Sequence, residues 1–111
     1  MIFNIEETDR YNELHGGEGE VTISRLLDKG IAEGLDLFAL VTVPIGASIG
    51  YHRHQNDSEG YYILSGDAEF TDADGSVKTV GTGELCLITK GQSHGIRNTG
   101  DTKLKFLAVV F

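Results

Sequence analysis

Four side chains carry types and spacings that suit metal chemistry: His52, His54, Glu59 and His94. One residue separates His52 from His54, so on an extended strand both imidazoles leave the same face, about 7 Å apart along the chain. Glu59 follows across the polar turn Gln55-Asn56-Asp57-Ser58 and opens the next strand-like stretch. His94 lies behind Gly91, at the head of another such stretch. Three neutral imidazoles and a carboxylate suit Mn, Fe, Co, Ni, Cu or Zn better than Ca or Mg, which prefer all-oxygen shells. On an octahedral ion such a set leaves positions open for a substrate or for dioxygen. A His-x-His pair is also the pattern of a solvated strand edge, and its spacing alone leaves both readings open.

The elements that must position these residues show in the glycines and in the apolar alternation. Of 111 residues 15 are Gly and one is Pro, a glycine share well above the usual roughly 7%. Between the glycines the apolar pattern has period two, which predicts strands over Val21–Leu27, Leu35–Val43, Tyr61–Leu64, Ala68–Thr71, Val77–Val80, Glu84–Thr89, His94–Asn98 and Lys103–Phe111. Leu35–Val43 is apolar on both faces and is expected to lie between two layers. Asp72-Ala73-Asp74-Gly75 reads as a hairpin turn, because Asp and Gly tolerate the positive φ it needs. Only the N-terminal third allows a helix, a short one over Glu6–Leu14 ended by Gly16-Gly17-Glu18-Gly19. Many short strands with tight turns predict an all-β sandwich, barrel or jelly roll. No composition shift, repeat or low-complexity tract divides the chain, so one domain over 1–111 is expected, with an arm over about 1–20 and the barrel proper over about 35–111.

The histidines sit in a longer pattern. Gly46, five residues, His52-Arg53-His54, four residues, Glu59, six residues and Gly66 resemble in full the first motif of the cupin family, G-x5-H-x-H-x3,4-E-x6-G. Gly83, five residues, Thr89-Lys90-Gly91, two residues, His94, three residues and Asn98 are similar to its second motif, G-x5-P-x-G-x2-H-x3-N, with Thr89 where the family has proline. The resemblance spans Gly46 to Asn98, about half of the chain. It implies a double-stranded β-helix, or jelly-roll, barrel of six to eight strands like that of small oxalate-decarboxylase-like cupins. It also implies His52, His54, Glu59 and His94 as ligands of one divalent transition metal ion, and a homodimer. The family proline shapes the turn before the histidine, so Thr89 bears on that turn's rigidity rather than on ligation.

Charge and composition exclude several function classes. With 9 basic against 17 acidic side chains the chain carries a formal −8, which argues against nucleic acid and anionic membranes as partners. The single Cys86 forms no internal disulfide and no CxxC motif, and reads as a small buried hydrophobe. MIFNIEETDR has neither a basic nor an apolar leader region, so a cytoplasmic protein is expected. His15, before the glycine-rich loop, reads as a surface residue rather than a fifth ligand. Tyr61 shares the alternation of Glu59 and is the first candidate for an acid or base beside the metal; Arg25, of undetermined facing, is the second. Their bland readings are a barrel-lining aromatic and a solvated strand residue. The function expected is a metal-dependent enzyme, such as a decarboxylase, dioxygenase or isomerase, acting on a small carboxylate, diketone or sugar-like compound. The alternative is a non-catalytic module that holds such a ligand on the same metal. Leu107–Phe111 and the first strand are expected to offer a twofold partner edges to cover.

Overall fold

The period-two stretches become strands in the computed structural model, which describes residues Met1–Phe111. They are β1 (Thr8–Asn12), β2 (Glu20–Asp28), β3 (Leu37–Val43), β4 (Ser48–Arg53), β5 (Glu59–Ser65), β6 (Asp67–Thr71), β7 (Val77–Gly81), β8 (Leu85–Ile88), β9 (Ser93–Asn98) and β10 (Leu104–Val110). All pairings are antiparallel. One sheet has the order β1-β2-β3-β10-β5-β8 and the other β4-β9-β6-β7, an all-β double-stranded β-helix. No helix is long and apolar enough to cross a membrane.

Alternation puts Val41 and Val43 of β3, Ile63 of β5, Phe70 of β6, Ile96 of β9 and Leu104 and Phe106 of β10 between the sheets. Burying each such side chain contributes about 1.5–3 kcal/mol. Turns return the strands at fixed places. Gly66 (φ +99) and Gly91 (φ +87) adopt the left-handed conformation that other residues enter only with strain. The Asp72–Gly75 stretch closes the β6–β7 hairpin through Gly75 N–H to the Asp72 carbonyl at 2.9 Å. At Thr89 the turn has its own fastening: the backbone N–H that a proline would lack donates to Gln92 Oε1 at 2.9 Å, and Gln92 N–H donates back to the Thr89 carbonyl at 2.9 Å.

Three local expectations change. Glu6–Leu14 is not a helix: Thr8–Asn12 pairs with β2 as an edge strand, and the only helical piece is a 3₁₀ turn over Leu14–Gly16. The polar run Asp9-Arg10-Tyr11-Asn12 hides its strand character because just one of its residues, Tyr11, packs against the core. Strand pairing therefore reaches back to Thr8, ahead of the 35–111 barrel expected, and the count is ten strands rather than six to eight. β3 is covered on one face only, with Ala39, Val41 and Val43 buried inside and Phe38, Leu40 and Thr42 half-buried on the outside. Finally, β10 is no edge; it lies between β3 and β5, so Leu107 and Val109 belong to an outer sheet face.

Candidate metal centre

β4 and β9 pair with His52 opposite His94, which makes these two rings cross-strand neighbours in the four-stranded sheet. His54 stands just beyond the end of β4, where its N–H donates to the Gln92 carbonyl and its carbonyl accepts from Gly91 N–H. Glu59, the first residue of β5, reaches across from the other sheet. The site thus bridges the two layers, and all four sequence-predicted residues converge. One donor atom from each lies within 4.8 Å of the others. Ligands of a single ion, each about 2.0–2.2 Å away, lie at most ~4.4 Å apart, so small inward adjustments suffice.

Hydrogen bonds fix which nitrogen of each ring faces inward. His52 Nδ1–H donates to the Gly50 carbonyl at 2.7 Å, and His54 Nδ1–H donates to Asp57 Oδ1 at 2.7 Å. Both Nε2 atoms then point into the cluster, 3.1 Å from each other. Such a contact needs a proton or a cation between the two lone pairs. His54 Nε2 and His94 Nε2 also stand 2.9 Å from the same oxygen, Glu59 Oε1. Protons on these nitrogens hold the cluster together, and the same inward donor atoms are placed where a metal ion could be held. Backing of an inward Nε2 by an acceptor on Nδ1 is the orientation that metal-binding histidines use. His94 differs, since its Nδ1 is buried and has no partner. Packing holds that ring instead, with Tyr61 stacked at 4.7 Å and Phe70 edge-on at 5.8 Å.

The electrostatics follow from burial and these contacts. Burial opposes charge on Glu59, but hydrogen bonds from His54 and His94 outweigh it and hold the carboxyl at about 2. The hydrogen bond to Glu59 raises His54 above its ordinary value, against partial burial and with help from Asp57. Burial brings His52 down to about 4, so it is neutral and ready to ligate. Burial, then the Glu59 charge, push the Tyr61 phenol well above its ordinary range. Tyr61 therefore stays protonated and is not a base; its O–H is turned to the Glu59 carboxylate, and its oxygen stands 3.3 Å from His94 Nε2. Cys86 is buried, and that burial raises its thiol to about 11, which leaves it inert.

A cavity of about 560 Å³ opens onto His52, His54 and Glu59, within the range of small-ligand sites. Its wall is apolar along Ile23, Val41, Ile49, Ala108 and Val110. The β2–β3 register pairs Arg25 with inward-facing Ala39, which settles its facing: Arg25 lines the cavity, where its guanidinium donates to the Tyr11 hydroxyl at 3.1 Å and lies 3.7 Å from Asp9. Sequence reasoning missed Asp57 and the Gly50 carbonyl as partners of the ligating rings. The polar turn before Glu59 was the available signal for Asp57; the Gly50 carbonyl had none.

The comparisons with known proteins agree with this geometry. The cupin domain family matches residues 39–110. The chain is a cupin. This cupin is 41% identical over 103 residues to the oxalate-binding protein of Thermotoga maritima, a match that covers 92% of the chain and 84% of that protein. It superposes on the crystal structure of a predicted oxalate decarboxylase from T. maritima with a TM-score of 0.93 and 38% identity, over 100% of this chain and 98% of that one. A shorter match, 36% over 75 residues, links the cupin to an oxalate decarboxylase of Bacillus subtilis; it covers 64% of the chain and 20% of that enzyme.

Proposed function

We propose that this cupin binds one divalent transition metal ion through His52, His54, Glu59 and His94 and, on that ion, captures a small carboxylate of the oxalate type. The observation that carries the reading is the cavity that reaches three of the four converging donors, so an ion there faces a space sized for a ligand. The similarity to an oxalate-binding protein points to the ligand class. When bound, the ion supplies Lewis acidity and a chelating point for paired carboxylate oxygens. The chain's own residues do the rest. Asp57 and the Gly50 carbonyl orient His54 and His52, Ile49 and Val41 make the cavity wall apolar, and Arg25 adds a cation to the lining.

Capture is favoured over turnover by what the neighbours are already doing. Tyr61 is held in its protonated form, Asp57 is engaged by His54, and Arg25 by Tyr11 and Asp9, so none of these three is free to act as an acid or base at the ligands. The enzyme reading is supported by the match to a predicted oxalate decarboxylase. Calorimetry of the metal-loaded cupin with oxalate, followed by carbon-13 analysis of the recovered ligand, separates them. Binding with unchanged oxalate is expected; formate and carbon dioxide in the products would establish turnover, and no heat at all would defeat the ligand assignment.

The reading includes a cytoplasmic location and a homodimer. Supporting the dimer is the outer face of the six-stranded sheet, where Leu40, Leu107, Tyr62 and Leu85 form one cross-strand row and Phe38, Val109, Gly60 and Leu87 the next. Leu85 is 63% exposed and Leu87 47%, an apolar patch of a kind that usually seeks a partner. A twofold copy of the same face covers it. Sedimentation should give a dimer that Leu107→Lys dissociates; a monomeric native chain would remove this part of the reading.

A further inference from the structure

We propose that His15 is a positioning residue for the metal centre, its ring fixing the plane of the His52 imidazole. The inference rests on the metal reading above and goes beyond its four ligands. The His15 and His52 rings lie parallel, with centroids 3.8 Å apart and planes within 12°. His15 is outside the set of converging donor atoms, so it acts on the ion through His52 rather than by ligation. It also lines the cavity beside His52.

The backbone that presents this ring is built at a conformational cost. Glu13 and His15 are the two residues other than glycine with positive φ, both at +53°. L-residues avoid that region, and where the surrounding structure enforces it the strain usually serves a site. Here the enforcement is visible. Glu13 N–H donates to the Gly19 carbonyl at 2.9 Å, and Gly17 N–H to the Leu14 carbonyl at 3.0 Å. The turn is then pressed onto β4. A Cβ on Gly50 would overlap the His15 carbonyl oxygen, and a Cβ on Gly17 would overlap the Ser48 carbonyl oxygen. Glu18 and Ser48 clasp the contact, since Glu18 N–H donates to Ser48 Oγ and Ser48 N–H to the Glu18 carbonyl, each at 2.9 Å.

Two features therefore meet on one ligand. The Gly50 carbonyl holds His52 through Nδ1, while Gly50, by lacking a side chain, admits the turn that lays His15 over the same ring. His94 meets His52 edge-on at 4.8 Å. Hydrogen bond, stack and edge contact together leave the His52 plane no freedom. Loss of the stack leaves the ring to the Nδ1 hydrogen bond and the His94 edge contact, with one face open to rotation, and residues that orient a ligating histidine typically contribute 10–100-fold in metal affinity.

The test compares wild type, His15→Gly and His15→Phe by Zn(II) competition against a chromophoric chelator and by electron paramagnetic resonance of the Cu(II)-loaded protein. Glycine adopts a φ of +53° freely, so metal-free His15→Gly should melt no lower than wild type. It should nonetheless bind Zn(II) about 10-fold more weakly and give a broadened Cu(II) spectrum. His15→Phe keeps a flat ring and should recover most of the affinity and the sharp spectrum. A His15→Gly protein that binds Zn(II) as tightly as wild type overturns the proposal, as does a His15→Phe protein no better than His15→Gly. A wild-type chain that binds neither metal overturns the metal reading itself.

Discussion

Replacing Glu59 by Gln tests the electrostatic logic of the centre without altering its shape. Glu59 is 6% exposed, and both His54 and His94 reach the same carboxylate oxygen at 2.9 Å. Its carboxyl is depressed from 4.5 to about 2, and that difference is worth on the order of 3 kcal/mol. For an acid depressed by folding, this stability is present above the unfolded value and is lost as the pH falls from about 4.5 towards about 2. Gln fills the same space with a neutral carbonyl in place of the carboxylate, and its amide N–H₂ adds donors where His54 and His94 already donate. Metal-free Glu59→Gln should therefore be less stable at pH 7 by roughly 2–3 kcal/mol and should lack the acid-dependent loss of stability that this group causes. Urea unfolding in chelator, followed through tyrosine fluorescence because the chain has no Trp, measures both effects. Added metal at about 100 times its Kd should stabilise the wild type by ~2.7 kcal/mol and the variant by much less. A metal-free Glu59→Gln that is as stable as wild type, or more so, would refute the reasoning. The histidines would then carry no protons in the empty cluster, and the carboxylate would be frustrated until metal arrives.

Two further outcomes follow from the same contacts. Metal must displace the proton on His54, which is held above its ordinary 6.5 chiefly by the hydrogen bond to Glu59. Apparent affinity should thus be flat at high pH and fall about tenfold per pH unit below the His54 value, beginning above 6.5. Asp57→Asn should move that break to lower pH, and an unmoved break would show that Asp57 does not tune the ring. His52, held at about 4, contributes nothing over this interval. Tyr61→Phe removes one long buried hydrogen bond at 3.3 Å and should cost about 1 kcal/mol in stability, with metal affinity and oxalate binding unchanged in titration calorimetry. A large loss of oxalate binding would make Tyr61 a contact of the ligand.

Legibility in the sequence tracked how local each signal was. His52 and His54 share a face by strand periodicity, Glu59 opens a strand after the polar turn Gln55–Ser58 and His94 lies near a strand head behind Gly91; these residues converge in the fold. The interior alternation of β3, β5 and β10 was equally readable, because one buried face imposes period two. What stayed hidden depends on contacts between distant segments. Arg25 could not be assigned a face until the β2–β3 register paired it with Ala39, just ahead of a bulge. The outer face of β3 read as buried because Phe38 and Leu40 are as apolar as a core, and the end of β10 read as an edge, whereas the sheet turns Phe38, Leu40, Leu107 and Val109 outward. His15 meets His52 only through two strained residues and a close backbone approach at Gly50, none of which leaves a periodic trace. Thr89, an apparent departure from the motif, is compensated by Gln92 three residues on.

The central claim is that His52, His54, Glu59 and His94 hold one metal ion, and elemental analysis of protein purified without a histidine tag tests it most directly. The account expects about one divalent transition metal ion per chain in the wild type. His94→Ala, purified alongside, should carry almost none. A wild-type chain with no stoichiometric metal, or a His94→Ala chain loaded as fully as wild type, would contradict it.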